Sequence, residues 1–189
     1  MTSSSHQHFK LYKPYGFLSQ FVQEPRKNKK RLGELFDFPA GIMTIGRLDH
    51  DSEGLLLLTT HGMTSHHVRS QHYEKEYYVQ LDGDIDDGAI NALMAGVSIT
   101  VKGETYLTQG CQARKLTQVP LLPPRGHKIR DERHGPTSWL SITLTEGKNR
   151  QVRKMTAAVG YPTLRLVRVR IGAIKIDDLS VGEVRPIRL

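Results

Sequence analysis

Short apolar runs alternate with polar and glycine-containing segments along the chain, and this pattern predicts a mixture of strands and helices. Residues 54–60 form a continuous run, Gly-Leu-Leu-Leu-Leu-Thr-Thr, of the kind found in a strand buried on both faces. Further strands are predicted at residues 9–13, 77–81, 139–145 and 167–171. Strands and helices follow one another throughout, which indicates an α+β fold without specifying its topology.

A helix is predicted over residues 86–95, where apolar side chains recur at helical spacing and Asp86 or Asp87 is available as the N-cap. A long irregular loop is predicted over residues 121–137, which contain three prolines and four basic residues. Loops of this length inside a compact domain are often functional.

The clearest helix is predicted over residues 149–159, with Asn149 as its N-cap and Gly160 just beyond its end. One side of this helix is apolar and the other is cationic. The apolar side consists of Val152, Met155 and Val159, and the cationic side consists of Arg150, Arg153 and Lys154. A basic helix face is in most cases simply solvated, so this pattern alone does not establish a binding surface.

The distribution of charge favours a polyanionic partner. The 189 residues carry a formal net charge of +8 at pH 7. Residues 125–170 contain eleven Lys or Arg residues against three acidic residues, an excess equal to the whole net charge. A second run, residues 26–31, has five basic residues in six. Clustered positive charge is typical of proteins that bind a phosphate backbone, although a solvated basic surface is the alternative.

Several classes of protein are excluded by what the sequence lacks. It has no apolar run approaching the roughly 18 residues of a membrane span and no N-terminal secretory signal, so we expect a cytoplasmic protein. The single cysteine, Cys111, rules out an internal disulfide framework. No glycine-rich nucleotide-binding motif occurs. The cluster of His61, His66, His67 and His72 lacks a carboxylate at ligand spacing, and we therefore predict no metal site.

The segment of residues 46–54 is unusual because four of its nine residues are charged and a fifth is His50, yet it leads directly into the predicted buried strand. A charged turn between two apolar segments either faces solvent or lines a cleft, and the residue types alone favour neither. Asp49 lies next to Arg47 and among other carboxylates, so its ionisation would depend on a nearby cation.

Four motifs, in order along the chain, resemble those of one enzyme family. They are Lys13-Pro-Tyr-Gly16, Gly46-Arg-Leu-Asp49 followed by Ser52-x-Gly54, Lys75-x-Tyr77-x-Val79, and residues 147–155 with Leu164, Arg168 and Gly172 after them. Together they are similar to the RsuA-like family of ribosomal RNA pseudouridine synthases. A single Gly-Arg-Leu-Asp would be weak evidence, but four ordered motifs that span residues 13–172 are specific.

The resemblance implies an α+β domain built on a mixed, mainly antiparallel sheet with flanking helices and a central active-site cleft. It implies the isomerisation of uridine to pseudouridine without a cofactor, with the target base flipped out of the RNA. Asp49 is the implied nucleophile, and Arg153 is the cation that keeps it ionised. Tyr77 would stack on the uracil and help to remove the C5 proton.

The remaining implied roles concern RNA binding. Arg47 would hold or replace the flipped base. The other residues expected to bind RNA are Lys13, Lys148, Arg150, Lys154, Arg165 and Arg168.

The first motif begins at residue 13, which leaves no room for the N-terminal S4 domain that many family members carry. We therefore expect a single catalytic domain over residues 1–189, most similar to the RluE branch that acts on large-subunit (23S) ribosomal RNA. Residues 26–31 and 121–137 would then supply the RNA binding that the S4 domain supplies elsewhere. We expect a monomer. The alternatives are the same chemistry at another rRNA site and a non-catalytic rRNA-binding assembly factor.

Overall fold

The fold is described by a computed structural model for residues 6–22, 29–70, 73–130, 132–177 and 179–189. The first half of the basic run, residues 26–28, and His72 of the histidine cluster lie outside the described residues.

Within these ranges the chain forms thirteen strands and three α-helices. The strands are β1 (His8–Lys13), β2 (Phe17–Leu18), β3 (Lys30–Arg31), β4 (Met43–Ile45), β5 (Glu53–Thr59), β6 (Lys75–Asp82), β7 (Ser98–Val101), β8 (Glu104–Leu107), β9 (Gln112–Leu116), β10 (Thr137–Leu144), β11 (Thr163–Ile171), β12 (Ile174–Lys175) and β13 (Val184–Ile187). The helices are α1 (Gly62–Ser70), α2 (Asp87–Ala95) and α3 (Gln151–Ala158). Short 3₁₀ turns occur at Leu32–Glu34 and Glu132–His134.

One large mixed sheet organises the molecule, with the strand order β13-β1-β5-β11-β6-β10-β9. Its pairs are antiparallel except for β5 with β11, which run parallel at the centre. Strand β4 adds to β5, and β12 adds to β11. The predicted α+β fold with a mainly antiparallel sheet is confirmed.

Strand β5 is buried along its whole length, as the apolar run predicts. Leu55 and Leu57 pack into one hydrophobic cluster, and Leu56 and Leu58 pack into another on the opposite face of the sheet. Because successive side chains of a strand point to opposite faces, both faces must be covered for this sequence to be stable here.

The other predicted strands are also confirmed, with small differences at their ends. The largest difference is in β11, which begins at Thr163 rather than at residue 167. Arg165 hides this extension in the sequence, because a buried arginine interrupts the apolar pattern of the strand. Glu53 on β5 neutralises the Arg165 guanidinium. The sequence of β11 alone cannot reveal a partner that lies on another strand.

Helix α2 matches its prediction. The side chain of Asp86 accepts a hydrogen bond from the backbone N–H of Ala89 at 2.8 Å and caps the first turn. Ile90 and Leu93 are buried in the cluster beneath β6 and β10. None of the helices in the described residues has the length and apolar character needed to cross a membrane.

The predicted cap of α3 is wrong. Asn149 is exposed and lies before the cap, and the helix starts at Gln151 with Arg150 in the N-cap position. Arg150 has φ 52° and ψ 32°, the left-handed conformation, and makes no side-chain cap hydrogen bond. A non-glycine residue pays for this conformation in free energy, so other contacts must hold Arg150 in place.

Replacing Arg150 by glycine is expected to leave the protein about 1 kcal/mol more stable than replacing it by alanine. Both variants lose the same guanidinium contacts, but only alanine keeps a Cβ that clashes in the left-handed region. Chemical denaturation of the two variants measures the difference directly. Equal free energies of unfolding would contradict the strain assigned to this backbone.

Candidate active site

A cleft of about 1010 Å³ lies at the centre of the molecule. The charged loop of residues 46–50 and Ser52 form part of its wall, together with Tyr77 on β6 and the turn between β10 and α3. Leu144, Leu166 and Ile171 add apolar surface. The sequence left open whether the charged loop faces solvent or a cleft, and the structure shows that it lines the cleft.

Asp49 is held in the cleft wall by its neighbours. The preceding residue, Leu48, is buried, and its backbone is fixed by Ser19, whose Oγ donates to Leu48 O at 2.7 Å and accepts from Leu48 N at 3.0 Å. Ser52 N donates to Asp49 O at 3.1 Å and closes a four-residue turn. The Asp49 side chain is 31% exposed, so its carboxylate is reachable from the cleft but partly desolvated.

Two arginines of the α3 segment approach the charged loop. Arg150 makes a bidentate contact with Asp51, at 2.8 Å from Nη1 to Oδ1 and 2.9 Å from Nη2 to Oδ2. The same Nη1 lies 3.7 Å from Asp49 Oδ2. Arg153 Nη2 donates to Asp51 O at 2.8 Å and lies 3.5 Å from Asp51 Oδ2.

The Arg150 guanidinium lies 3.7 Å from the Asp49 carboxylate, and Arg153 makes its contacts with Asp51. Asp49 still acts on Arg153 electrostatically and partly offsets the effect of burial on the pKa of that guanidinium. The role of Arg153 as the cation that serves Asp49 stays a prediction. The hydrogen bonds from Arg150 lower the pKa of Asp51 to about 2. Burial lowers the pKa of the Arg153 guanidinium. Because arginine stays protonated in proteins even so, both guanidiniums are close sources of positive charge for the charged loop.

Tyr77 is half-buried at the centre of the sheet, where its β6 position pairs with Ile142 on β10 and Arg168 on β11. It lies on the same cleft wall as Leu144 and Leu166. Asp49 and Tyr77 are 28 positions apart in the sequence, and the structure brings both to one cavity, as predicted.

Among the residues expected to bind RNA, Arg47, Lys148 and Arg150 are exposed on the cleft wall. Lys148 Nζ lies 4.7 Å from the centroid of the Tyr106 ring. Lys154 is half-buried on α3.

The expectation that Lys13 and Arg165 bind RNA does not fit the structure, because both side chains are buried and neither lines the cleft. Arg168 is also buried but lines the cleft, so its contact with RNA stays a prediction. Arg165 is held by Glu53, and Arg168 donates from Nε to Leu55 O at 2.8 Å. Lys13 Nζ donates to Ser52 O at 2.7 Å and to Pro14 O at 2.9 Å. Lys13 thus stabilises the backbone of the charged loop and is not placed to bind a phosphate.

Burial lowers the pKa of Lys13 to about 7, against 10.5 for an unperturbed lysine. Between these pH values the unfolded chain binds the proton and the folded chain does not, so this lysine makes the free energy of unfolding rise with pH. Lys13→Met is expected to lose that rise between pH 7 and 10.5. Chemical denaturation across this range measures it, and parallel curves for wild type and variant would contradict the burial of the ammonium.

Several residues that shape the site escaped the sequence analysis. Glu53 is buried and bound by Arg165, with Arg125 Nε 3.6 Å away. Arg125 also stacks over the Tyr15 ring at 4.0 Å, which fastens the loop of residues 121–137 beside the first motif. A carboxylate at the start of an apolar strand was the available signal for Glu53, because it must find a cation when buried.

Glu146 organises the turn before α3. It accepts a hydrogen bond from Tyr106 OH at 2.6 Å and from Gln109 N at 3.0 Å, and it also contacts Gln151 Nε2. Gln151 in turn accepts from Lys148 N at 2.8 Å. These contacts tie the turn that carries Lys148 to the β7–β8 hairpin.

Among the described residues, no group of three or more His, Cys, Asp or Glu side chains is placed to bind a metal ion. The prediction that the reaction needs no cofactor stays a prediction.

Comparison with known proteins adds to this geometry. A family model described as RNA pseudouridylate synthase matches residues 7–158, which include Asp49, Tyr77 and Arg153. The chain belongs to the RNA pseudouridylate synthase family. The resemblance carried by the four motifs is thereby confirmed.

Relatives of this synthase cover it almost completely. The ribosomal large subunit pseudouridine synthase E of Xanthomonas campestris pv. campestris is 45% identical over 177 residues, which are 93% of this chain and 92% of the relative. The protein of the same name from Vibrio vulnificus is 38% identical over 94% of this chain and 73% of its own length.

Solved structures share the fold. A crystal structure of a pseudouridylate synthase superposes with a TM-score of 0.75 at 29% identity and covers 97% of this synthase and 71% of the other chain. The human RNA pseudouridylate synthase domain containing 1 has a TM-score of 0.55 at 13% identity, with 96% of this synthase and 78% of that chain covered. The latter likeness concerns the fold alone.

Proposed function

We propose that the chain isomerises uridine to pseudouridine in large-subunit (23S) ribosomal RNA, with Asp49 as the nucleophile and without a cofactor. The observation that carries this proposal is the Asp49 carboxylate itself. It lies on the wall of a large cleft, within reach of the Arg150 guanidinium and on the same cavity as Tyr77.

The reaction breaks the C1′–N1 glycosidic bond, turns the uracil and joins C1′ to C5. The hydrogen on C5 leaves as a proton and N1 gains one, so no electrons enter or leave. A carboxylate that attacks the substrate and later departs suits this sequence of steps. Asp49 supplies that carboxylate, and the Arg150 guanidinium places positive charge 3.7 Å from it.

Tyr77 is proposed to stack on the uracil and to help remove the C5 proton. Tyr77 lines the cleft together with the apolar residues Leu144 and Leu166. An aromatic ring beside aliphatic side chains offers a surface on which a flipped base can stack. The uridine must leave the RNA stack to enter the cleft, at a cost of a few kcal/mol.

The exposed cations around the cleft are proposed to bind the RNA backbone. Arg47, Lys148 and Arg150 lie on the cleft wall, and Lys154 lies on the adjacent helix. Each phosphate contact releases counterions, so the affinity for RNA should fall steeply as salt rises. Arg47 is proposed to hold or replace the flipped base.

The choice of large-subunit RNA rests on the relatives. Both relatives described above are named ribosomal large subunit pseudouridine synthases, and the Xanthomonas protein aligns over 92% of its length. We further propose that residues 1–189 act as one catalytic domain and as a monomer, and that the reaction takes place in the cytoplasm, where ribosomal RNA is found.

Nucleoside analysis of unmodified large-subunit and small-subunit rRNA transcripts, each incubated with the protein, tests this proposal. Pseudouridine in the large-subunit transcript alone is the expected result. Pseudouridine only in the small-subunit transcript would show the same chemistry on another RNA. Tight binding without any pseudouridine, on transcripts and on partly assembled particles, would favour an assembly factor instead.

A further inference from the structure

We propose that Asp51 is a positioning residue that keeps Arg150 and Arg153 close to Asp49 without allowing either to cover its carboxylate oxygens. This inference rests on the proposed role of Asp49 as the nucleophile.

Two carboxylates and two guanidiniums meet beside the cleft, and their contacts are unequal. Asp51 receives the three contacts of 2.8 to 2.9 Å, two from Arg150 to its carboxylate and one from Arg153 to its backbone oxygen. Among the described residues, the Asp49 side chain receives a single ionic contact, of 3.7 Å from Arg150. The arginines therefore donate their hydrogen bonds to Asp51, and their effect on Asp49 is mainly electrostatic.

This division suits a nucleophile. Coulomb attraction acts beyond hydrogen-bond distance, so a guanidinium at 3.7 Å still attracts the Asp49 carboxylate without a close hydrogen bond to it. A bidentate guanidinium at 2.8 to 2.9 Å, as on Asp51, would instead occupy both carboxylate oxygens. The oxygens of Asp49 remain available to the substrate because Asp51 engages the arginines first.

Asp51 itself is not placed to react. Its neighbours Asp49, His50 and Ser52 line the cleft, and Asp51 is not among the lining residues. The hydrogen bonds from Arg150 hold its pKa at about 2, so it is ionised at any pH at which the protein works. A carboxylate whose two oxygens are hydrogen-bonded to an arginine is a poor nucleophile, but it can hold that arginine in place.

The position of Arg150 depends on this anchor more than on its own backbone. The residue is 99 positions from Asp51 in the sequence and sits in a left-handed conformation at the start of α3. In the part of the chain that the structure describes, Asp49 is the other carboxylate that the Arg150 guanidinium reaches, at 3.7 Å. We therefore expect the loss of Asp51 to let Arg150 pair directly with the nucleophile.

The test compares the initial rates of pseudouridine formation on the large-subunit rRNA transcript for wild type, Asp51→Asn, Arg150→Gly and the double variant. Asparagine keeps the shape of Asp51 and removes its charge, and glycine suits the positive φ of residue 150. Asp51→Asn is expected to lower kcat by at least about tenfold with little change in KM. The double variant is expected to have a higher kcat than Asp51→Asn, because no Arg150 remains to cover Asp49.

A merely structural role for Asp51 makes the opposite prediction, since two damaging changes would then combine and the double variant would be slower than either single variant. That order of rates would overturn the inference. The proposed function would still stand, provided that wild type forms pseudouridine. Wild type that forms no pseudouridine overturns both.

Asp51→Glu provides a second variant should Asp51→Asn fold poorly. It keeps the charge that engages the arginines, and its kcat is expected to stay within about threefold of wild type. A kcat as low as that of Asp51→Asn, in a folded protein, would also overturn the inference.

Discussion

Replacing Asp49 by alanine is expected to lower the rate of pseudouridine formation by a factor on the order of 10⁴ or more, because the reaction loses its nucleophile. The protein should still fold, since the side chain is 31% exposed and its one ionic contact within the described ranges is with Arg150 at 3.7 Å. Binding of the rRNA transcript should persist, because most phosphate contacts come from other residues. Nucleoside analysis at saturating protein measures the effect.

Two further variants sharpen this prediction. Asp49→Asn keeps the size of the side chain and should be as inactive as the alanine variant, which separates charge from shape. Asp37→Ala removes an exposed aspartate that does not line the cleft, and it should retain full activity. An Asp49→Ala protein that binds RNA and turns over at a tenth of the wild-type rate or faster would exclude Asp49 as the nucleophile.

Replacing Gly54 by alanine is expected to destabilise the fold by at least about 4 kcal/mol, a large part of the stability of a typical domain. Gly54 has φ 103°, and an added Cβ would overlap Arg168 O and lie 2.8 Å from Arg168 N and 2.9 Å from Val167 Cγ1. These atoms belong to β11 at its parallel pairing with β5, so the two central strands would have to separate.

Gly103→Ala is the matched control for this substitution. Gly103 also has a positive φ, of 87°, but an added Cβ would meet no atom within 4 Å. It should cost only the left-handed strain, about 1–2 kcal/mol. Chemical denaturation compares the two variants, and similar losses in both would contradict the close approach of β11 to Gly54.

The elements that sequence reasoning located are those with a simple apolar pattern. The run of leucines in β5 predicts a strand buried on both faces, and the helical spacing of α2 predicts a helix buried on one face. The structure shows both. The start of α3 was misplaced because Asn149 has the side chain of a good N-cap, whereas a tertiary contact to Asp51 fixes Arg150 there.

The residues of the candidate site show the same distinction between what local sequence predicts and what tertiary contacts determine. The motifs identified Asp49 and Tyr77, and the structure brings both to one cleft. The burial of Lys13 and the pairing of Arg165 with Glu53 depend on contacts between residues far apart in sequence, which composition and spacing do not encode. Counting every basic residue near the motifs as an RNA ligand therefore included Lys13 and Arg165, whose side chains are buried and do not line the cleft.

The most direct test of the central claim is the release of tritium from large-subunit rRNA labelled at uracil C5, with the Asp49→Ala protein as the blank. Joining C1′ to C5 must expel the hydrogen at C5, so the release reports the new bond itself. We predict that wild type releases tritium in step with the pseudouridine formed and that the variant releases none. Folded wild type that binds the RNA, free or in partly assembled particles, and releases no tritium would contradict the assignment of this cleft as a pseudouridine synthase active site.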